Sequence, residues 1–117
     1  MTDYRVVVIP GDGIGPEIVA AAVNVLRAVE TLDSGFSLAL ECHAAGAGQY
    51  LKTGQNLSSE TLAACREADA VLKGPVGLPD VRLPDGTEAG LLGGVPRTGL
   101  DTYANVRPIR ILPGVQA

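Results

Sequence analysis

One stretch near the start constrains this chain more than any other. Tyr4 to Ile9 (YRVVVI) is β-branched and almost continuously apolar, stops at Pro10, and leads through Gly11-Asp12-Gly13-Ile14-Gly15 into Pro16. A strand with one wet face alternates apolar and polar residues. A strand that is apolar throughout is covered on both faces, as in a parallel sheet. Pro16 suits a first helical turn, where its missing N–H would have no intrahelical partner anyway. Glu17 adds a favourable charge near that helix start. Ile18, Ala22, Val25, Val29 and Leu32 follow at spacings of 4, 3, 4 and 3, which predicts one apolar packing stripe. Asp33-Ser34-Gly35 ends the helix.

The remaining punctuation extends the pattern. Phe36 to Cys42 (FSLALEC) alternates and reads as a second strand. Ala44 to Leu51 is small and weakly helical. Ser58 or Ser59 is placed to cap a further helix running to Asp69, and Ala70-Val71-Leu72 is a short third strand. Strand, helix, strand, helix, strand indicates an α/β domain with a mostly parallel sheet flanked by helices. From about Gly74 to Val95 the chain is rich in glycine and proline, and it is too long for an ordinary connection, which argues for a functional loop. The bland alternative is a surface excursion. Pro96 to Leu100 is read as a short helical turn. Tyr103 to Leu112 (YANVRPIRIL) resembles a strand interrupted by Pro108, and proline inside a strand points to an edge or a bend.

Length and composition set outer bounds. A chain of 117 residues makes one domain at most, able to bury ~65% of its unfolded surface. The net charge of −4 argues against a general nucleic-acid binder, which needs a basic surface to meet phosphates. Beyond Asp101 there are no acids, only Arg107 and Arg110. That local basic strip either suits a small anionic ligand or is a chance fluctuation. Cys42 and Cys65 have no metal-ligand spacing and are too sparse for a disulfide scaffold, so both are read as buried free thiols of a reducing cytoplasm. No basic region followed by an apolar stretch marks a signal peptide. No apolar run approaches the ~18 residues of a membrane span.

The glycine turn could carry chemistry. Glycines between a strand and a helix let a ligand approach the backbone, and N–H groups at a helix start favour an anion. The spacing is not the dinucleotide fingerprint, because Pro16 stands where that motif needs glycine. Nor is it a P-loop, since no Gly-Lys-Ser/Thr follows. The residues alone leave two readings open: a ligand-binding turn at the carboxyl edge of a sheet, or a turn with no ligand.

The string Ile9-Pro10-Gly11-Asp12-Gly13-Ile14-Gly15-Pro16-Glu17 resembles the N-terminal signature of the β-decarboxylating dehydrogenases, the isocitrate/isopropylmalate dehydrogenase family. Three further segments agree in order: Ala70 to Gly77, Glu88-Ala89-Gly90-Leu91-Leu92, and Arg97 with Leu100 to Pro108. The resemblance implies the N-terminal fragment of the large domain of a longer enzyme, in a fold that is not the Rossmann fold. It implies oxidation of a malate-like 2-hydroxy dicarboxylate by NAD or NADP, then loss of CO2 with help from Mg or Mn. By the same resemblance Arg97 and Arg107 clamp substrate carboxylates, a task suited to permanently charged bidentate guanidinium groups. Ile14 packs near the cofactor's adenosine. The stretch from Leu78 to Glu88 lines the nicotinamide side, with Glu88 as an acid near that ring. Asn105 either helps hold the site or makes a strand-end hydrogen bond.

Some residues depart from the family pattern. Pro96 and Thr98 flank Arg97 where leucine and a basic residue are common, and Gly93-Gly94-Val95 is about two residues longer than usual, which leaves the substrate side chain open. The family's proton-transferring Tyr and Lys, its third Arg and its metal-holding Asp residues fall beyond position 117. His43 is read as a packing or solvent-facing residue. The expectation is therefore an oxidoreductase segment, inactive by itself, from a cytoplasmic enzyme that is a homodimer at full length. Its partner is a small anionic dicarboxylate, with no nucleic acid or membrane. The rival expectation is a short paralogue or truncation that catalyses nothing and acts, if at all, as a binding or regulatory subunit.

Overall fold

A computed structural model of the chain describes residues 1–90 and 99–116. The element order is β1 (Thr2–Ile9), α1 (Gly15–Leu32), β2 (Phe36–Cys42), α2 (Ala47–Thr53), α3 (Ser59–Glu67) and β3 (Ala70–Lys73). The three strands form a parallel sheet in the order β2-β1-β3. β1 is central: Thr2 to Val8 pair with Phe36 to Cys42, and Val6 to Ile9 with Ala70 to Lys73.

The apolar run of β1 is explained by its position. Val6, Val7, Val8 and Ile9 are all buried, and successive side chains point to opposite faces. Val7 and Ile9 meet Ala64 and Cys65 of α3, with Val71 and Leu100 packed alongside. Val6 and Val8 meet Val19 of α1, with Val23, Leu38, Leu40 and Leu72 around them. Helices thus cover both faces of a three-layer α/β unit.

α1 rotates differently from the expected stripe. Ile18, Val25, Val29 and Leu32 lie outward, between 45% and 88% exposed, while Gly15 and Val19 are buried. The cause sits at the helix start. A Cβ on Gly15 would collide with the carbonyl oxygen of Pro10. The first turn therefore lies directly against the strand end, and that contact carries 15, 19 and 23 onto the sheet. A second, looser apolar row remains on the outer face.

Local chemistry sets the other boundaries. Ser58 caps α3 by accepting a 3.0 Å bond from the Thr61 N–H. Gly54 ends α2 in the left-handed region, its N–H returning to the Tyr50 carbonyl. The expected irregular loop contains a small hairpin: Arg82 and Glu88 form an antiparallel bridge, and the Leu83 N–H donates to the Thr87 carbonyl at 2.7 Å.

Two further expectations are corrected. Tyr103–Leu112 forms no strand; residues 101–116 have no regular structure and are exposed. A lone strand without a neighbour has nothing to satisfy its backbone except water, so a strand-like sequence is insufficient by itself. Cys42 is exposed because it is the last residue of β2, an edge strand, whereas Cys65 is buried against β1. No helix among the described residues is long and apolar enough to cross a membrane.

Candidate functional site

The carboxyl ends of the three strands gather the loops that carry the sequence motifs. Between β1 and β3 the crevice is closed by backbone. The Asp12 N–H donates to the Pro75 carbonyl at 2.9 Å, and the Gly74 N–H to the Ile9 carbonyl at 2.8 Å. Between β1 and β2 a cavity of about 210 Å³ remains, lined by Gly11, Asp12, His43, Gln49 and Lys52 among others.

Asp12 organises this edge. Its side chain is buried, with Oδ2 accepting from the Ala47 N–H at 2.7 Å and the Gly77 N–H at 2.8 Å. Oδ1 accepts from the Gly48 N–H at 2.9 Å. Burial pushes this carboxyl up, but the three N–H bonds more than offset it and hold the group below the ordinary aspartate range. The anion received by the first amides of α2 thus belongs to the protein itself. Sequence reasoning quoted Asp12 only as a letter of the glycine motif; no local spacing links residue 12 to residues 47 and 77.

A second clasp lies beside it. The Asn56 side-chain amide donates to the Ala89 carbonyl at 2.8 Å, and the Asn56 backbone carbonyl receives the Gly46 N–H at 2.7 Å. Asn56 was also missed from sequence, since it stands in an unremarkable Gln-Asn pair.

The expected cofactor residues fall around this frame. Ile14 stands 66% exposed at the start of α1, and the backbone of Gly13 faces open space. Leu78 and Glu88 are half-buried on the other arm, and the Glu88 carboxylate lies against Gly77. The turn bearing Ile14 and the loop bearing Leu78 and Glu88 are joined through Asp12 and Gly77. The residues expected to clamp substrate differ: Arg97 lies outside the described residues. Arg107 is exposed, and its Nε donates to Asn105 Oδ1 at 3.2 Å.

His43, half-buried at the cavity wall, has polar partners on both ring nitrogens. Its Nε2 lies 2.8 Å from Glu41 Oε1 and its Nδ1 3.3 Å from Thr61 Oγ1. Hydrogen bonds from His43 and from Arg5 hold the Glu41 carboxyl below its usual range. Among the described residues, no group of three or more His, Cys, Asp or Glu side chains is placed to hold a metal ion.

Residues 5–117 match the model of the isocitrate/isopropylmalate dehydrogenase family. The chain belongs to this family. It is 45% identical over 121 residues to a 3-isopropylmalate dehydrogenase of Synechococcus sp. (strain CC9902), covering 98% of this chain and 32% of that protein. It is 40% identical to a probable tartrate dehydrogenase/decarboxylase of Agrobacterium vitis, again covering 98% of this chain and 32% of that one. Among solved structures it resembles the apo β-decarboxylating dehydrogenase of Thermococcus kodakarensis, with TM-score 0.65, 38% identity, and coverage of 84% of this chain and 27% of that one. It also resembles the isocitrate dehydrogenase of Methylococcus capsulatus, with TM-score 0.56, 36% identity, and coverage of 66% and 21%. The chain therefore spans about a third of the length of the curated relatives it matches.

Proposed function

We propose that this chain supplies the first part of the large domain of a dehydrogenase that oxidises and decarboxylates a malate-like 2-hydroxy dicarboxylate. The observation that supports the reading is the joining of the Gly11–Gly15 turn, which carries Ile14, to the 74–90 loop, which carries Leu78 and Glu88, through the bonds of Asp12 to Pro75 and Gly77. Ile14 would offer an apolar surface to the adenosine of a bound NAD or NADP, and Leu78 and Glu88 would border its nicotinamide. NAD or NADP, when bound, accepts hydride from the substrate's alcohol carbon.

In the complete enzyme Arg97 and Arg107 grip the substrate carboxylates. Permanently charged, forked guanidinium groups fix orientation as well as affinity. Arg107 sits on an exposed segment, where its Nε donates to Asn105 Oδ1 two positions away, and its remaining N–H groups suit an anion. The described residues offer no metal-binding set, so no step through Mg or Mn is assigned to them. The 117 residues alone are expected to bind and orient without turning over substrate. The complete protein is a cytoplasmic homodimer in this reading.

The clamp is tested in a complete dehydrogenase carrying these residues, with 3-isopropylmalate, isocitrate and tartrate as substrates. Arg97→Ala and Arg107→Ala should each lower kcat/KM by roughly thirtyfold or more, the loss typical when one partner of a charged hydrogen-bonded pair is truncated. The effect should fall mainly on substrate KM. Unchanged kcat/KM in both variants would remove the clamp assignment.

A further inference from the structure

We infer that Asp12 is the positioning residue of the cofactor side of this cleft: its carboxylate ties the glycine turn, the start of α2 and Gly77 into one piece and so fixes the 77–88 loop relative to Ile14. The assignment of that loop to the cofactor rests on the function proposed above.

The geometry leaves little slack. All three bonds to the carboxylate run from backbone N–H groups of segments distant in sequence, at 2.7 to 2.9 Å. The backbone of Asp12 is fixed as well, its N–H on Pro75 and its carbonyl receiving the Gly15 N–H at 2.8 Å. A change at Asp12 thus reaches both arms at once. The hairpin hanging from Gly77 is closed on itself by the Arg82–Glu88 bridge and the bond from the Ala89 N–H to the Val81 carbonyl. It therefore moves with Gly77 as a unit.

A neutral amide cannot reproduce this arrangement. With its oxygen in the Oδ2 position, Asn would keep Ala47 and Gly77 but turn an NH2 group toward the Gly48 N–H. Reversed, it would lose two bonds to keep one. Either way the bonds lose their ionic character, which makes up about half their strength.

The test uses the purified 117-residue chain and amide-resolved NMR. On acidification the Ala47, Gly48 and Gly77 amides should shift together with one midpoint, and Asp12→Asn should abolish that shared titration. The Asp69 amide, which donates to the Arg5 carbonyl far from this edge, serves as a control and should be unmoved by the substitution. Addition of NAD should shift the Ile14, Leu78 and Glu88 amides, and Asp12→Asn should weaken that response roughly fivefold. The wild-type titration decides the clasp even if the variant folds poorly. Separate midpoints for the three amides would overturn the clasp whatever the loop binds. A shared midpoint without a response to NAD would overturn the cofactor assignment, and with it the positioning role.

Discussion

The loop cluster around Asp12 and the segment 101–116 both carry family-signature residues, yet they are built in opposite ways. In the first, hydrogen bonds join distant parts of the chain: Asp12 holds 47, 48 and 77, and Asn56 holds 46 and 89. In the second, every residue is exposed, and the polar side-chain contact of Arg107 is with Asn105 two positions away. Tyr103 and Ile109 are more than nine-tenths exposed. The contrast separates residues fixed by bonds to distant parts of the chain from residues bonded only locally or to water. Long-range hydrogen bonds fix position, whereas a guanidinium with five donors and one local partner keeps most of its bonding capacity.

The sharpest way to break the comparison is to add one methyl group to each region. Gly11 and Gly114 have nearly the same backbone, at φ +80 and +86. At Gly11 a Cβ would meet the Pro75 carbonyl oxygen, while at Gly114 nothing lies within 4 Å. Gly11→Ala should therefore destabilise by about 2–5 kcal/mol, from overpacking added to left-handed strain. Gly114→Ala should change stability by less than about 0.5 kcal/mol, since an unpacked segment relaxes freely. Thermal unfolding of both variants reads the difference. Equal losses would mean that residue 114 is packed in solution.

Acid is a gentler probe. The Asp12 carboxyl is held below its ordinary value in the folded chain, so the unfolded chain binds the proton first as pH falls. Stability from this group is complete above about pH 4, the unfolded aspartate value, and is lost as pH drops through the lower folded value. Glu30 and Glu41 are shifted the same way, but both are only half-buried and solvent partly screens them. The urea midpoint should fall from pH 5 to pH 2, and less steeply in Asp12→Asn. Removing residues 103–116 should leave the slope unchanged, because that stretch contains no acidic side chain. A slope that Asp12→Asn does not alter would show that the clasp contributes nothing to acid stability.

The same contrast explains what the sequence disclosed. β1, β2, β3 and α3 were legible because their signals are local: a β-branched run, an alternation, a serine cap. The face of α1 was not, because two apolar rows compete and a glycine contact at residue 15 selects between them. Asp12 and Asn56 were hidden for a related reason. The partners of their side chains lie 33 to 65 positions away, and no periodicity records a bond of that span. Tyr103–Leu112 failed the other way, its β-type residues having no neighbouring strand to pair with. The family motifs located the turn, the loop and the two arginines, but the carboxylate that joins turn to loop emerged only from three-dimensional contacts.

The smallest effect concerns Arg107. The residue is exposed and, among the described residues, its guanidinium is bonded to a side chain two positions off, so Arg107→Ala should shift the unfolding midpoint by the equivalent of no more than about 0.5 kcal/mol. Set beside the roughly thirtyfold loss of kcat/KM expected in a complete enzyme, this makes Arg107 a residue whose importance is absent from the fold's own stability. A core residue behaves the other way, since losing buried contacts always lowers stability whatever the ligand does. Calorimetry of wild type and variant, without ligand, settles the point. A loss above about 1 kcal/mol would place Arg107 in a packed structural role and remove the contrast with which the two regions were distinguished.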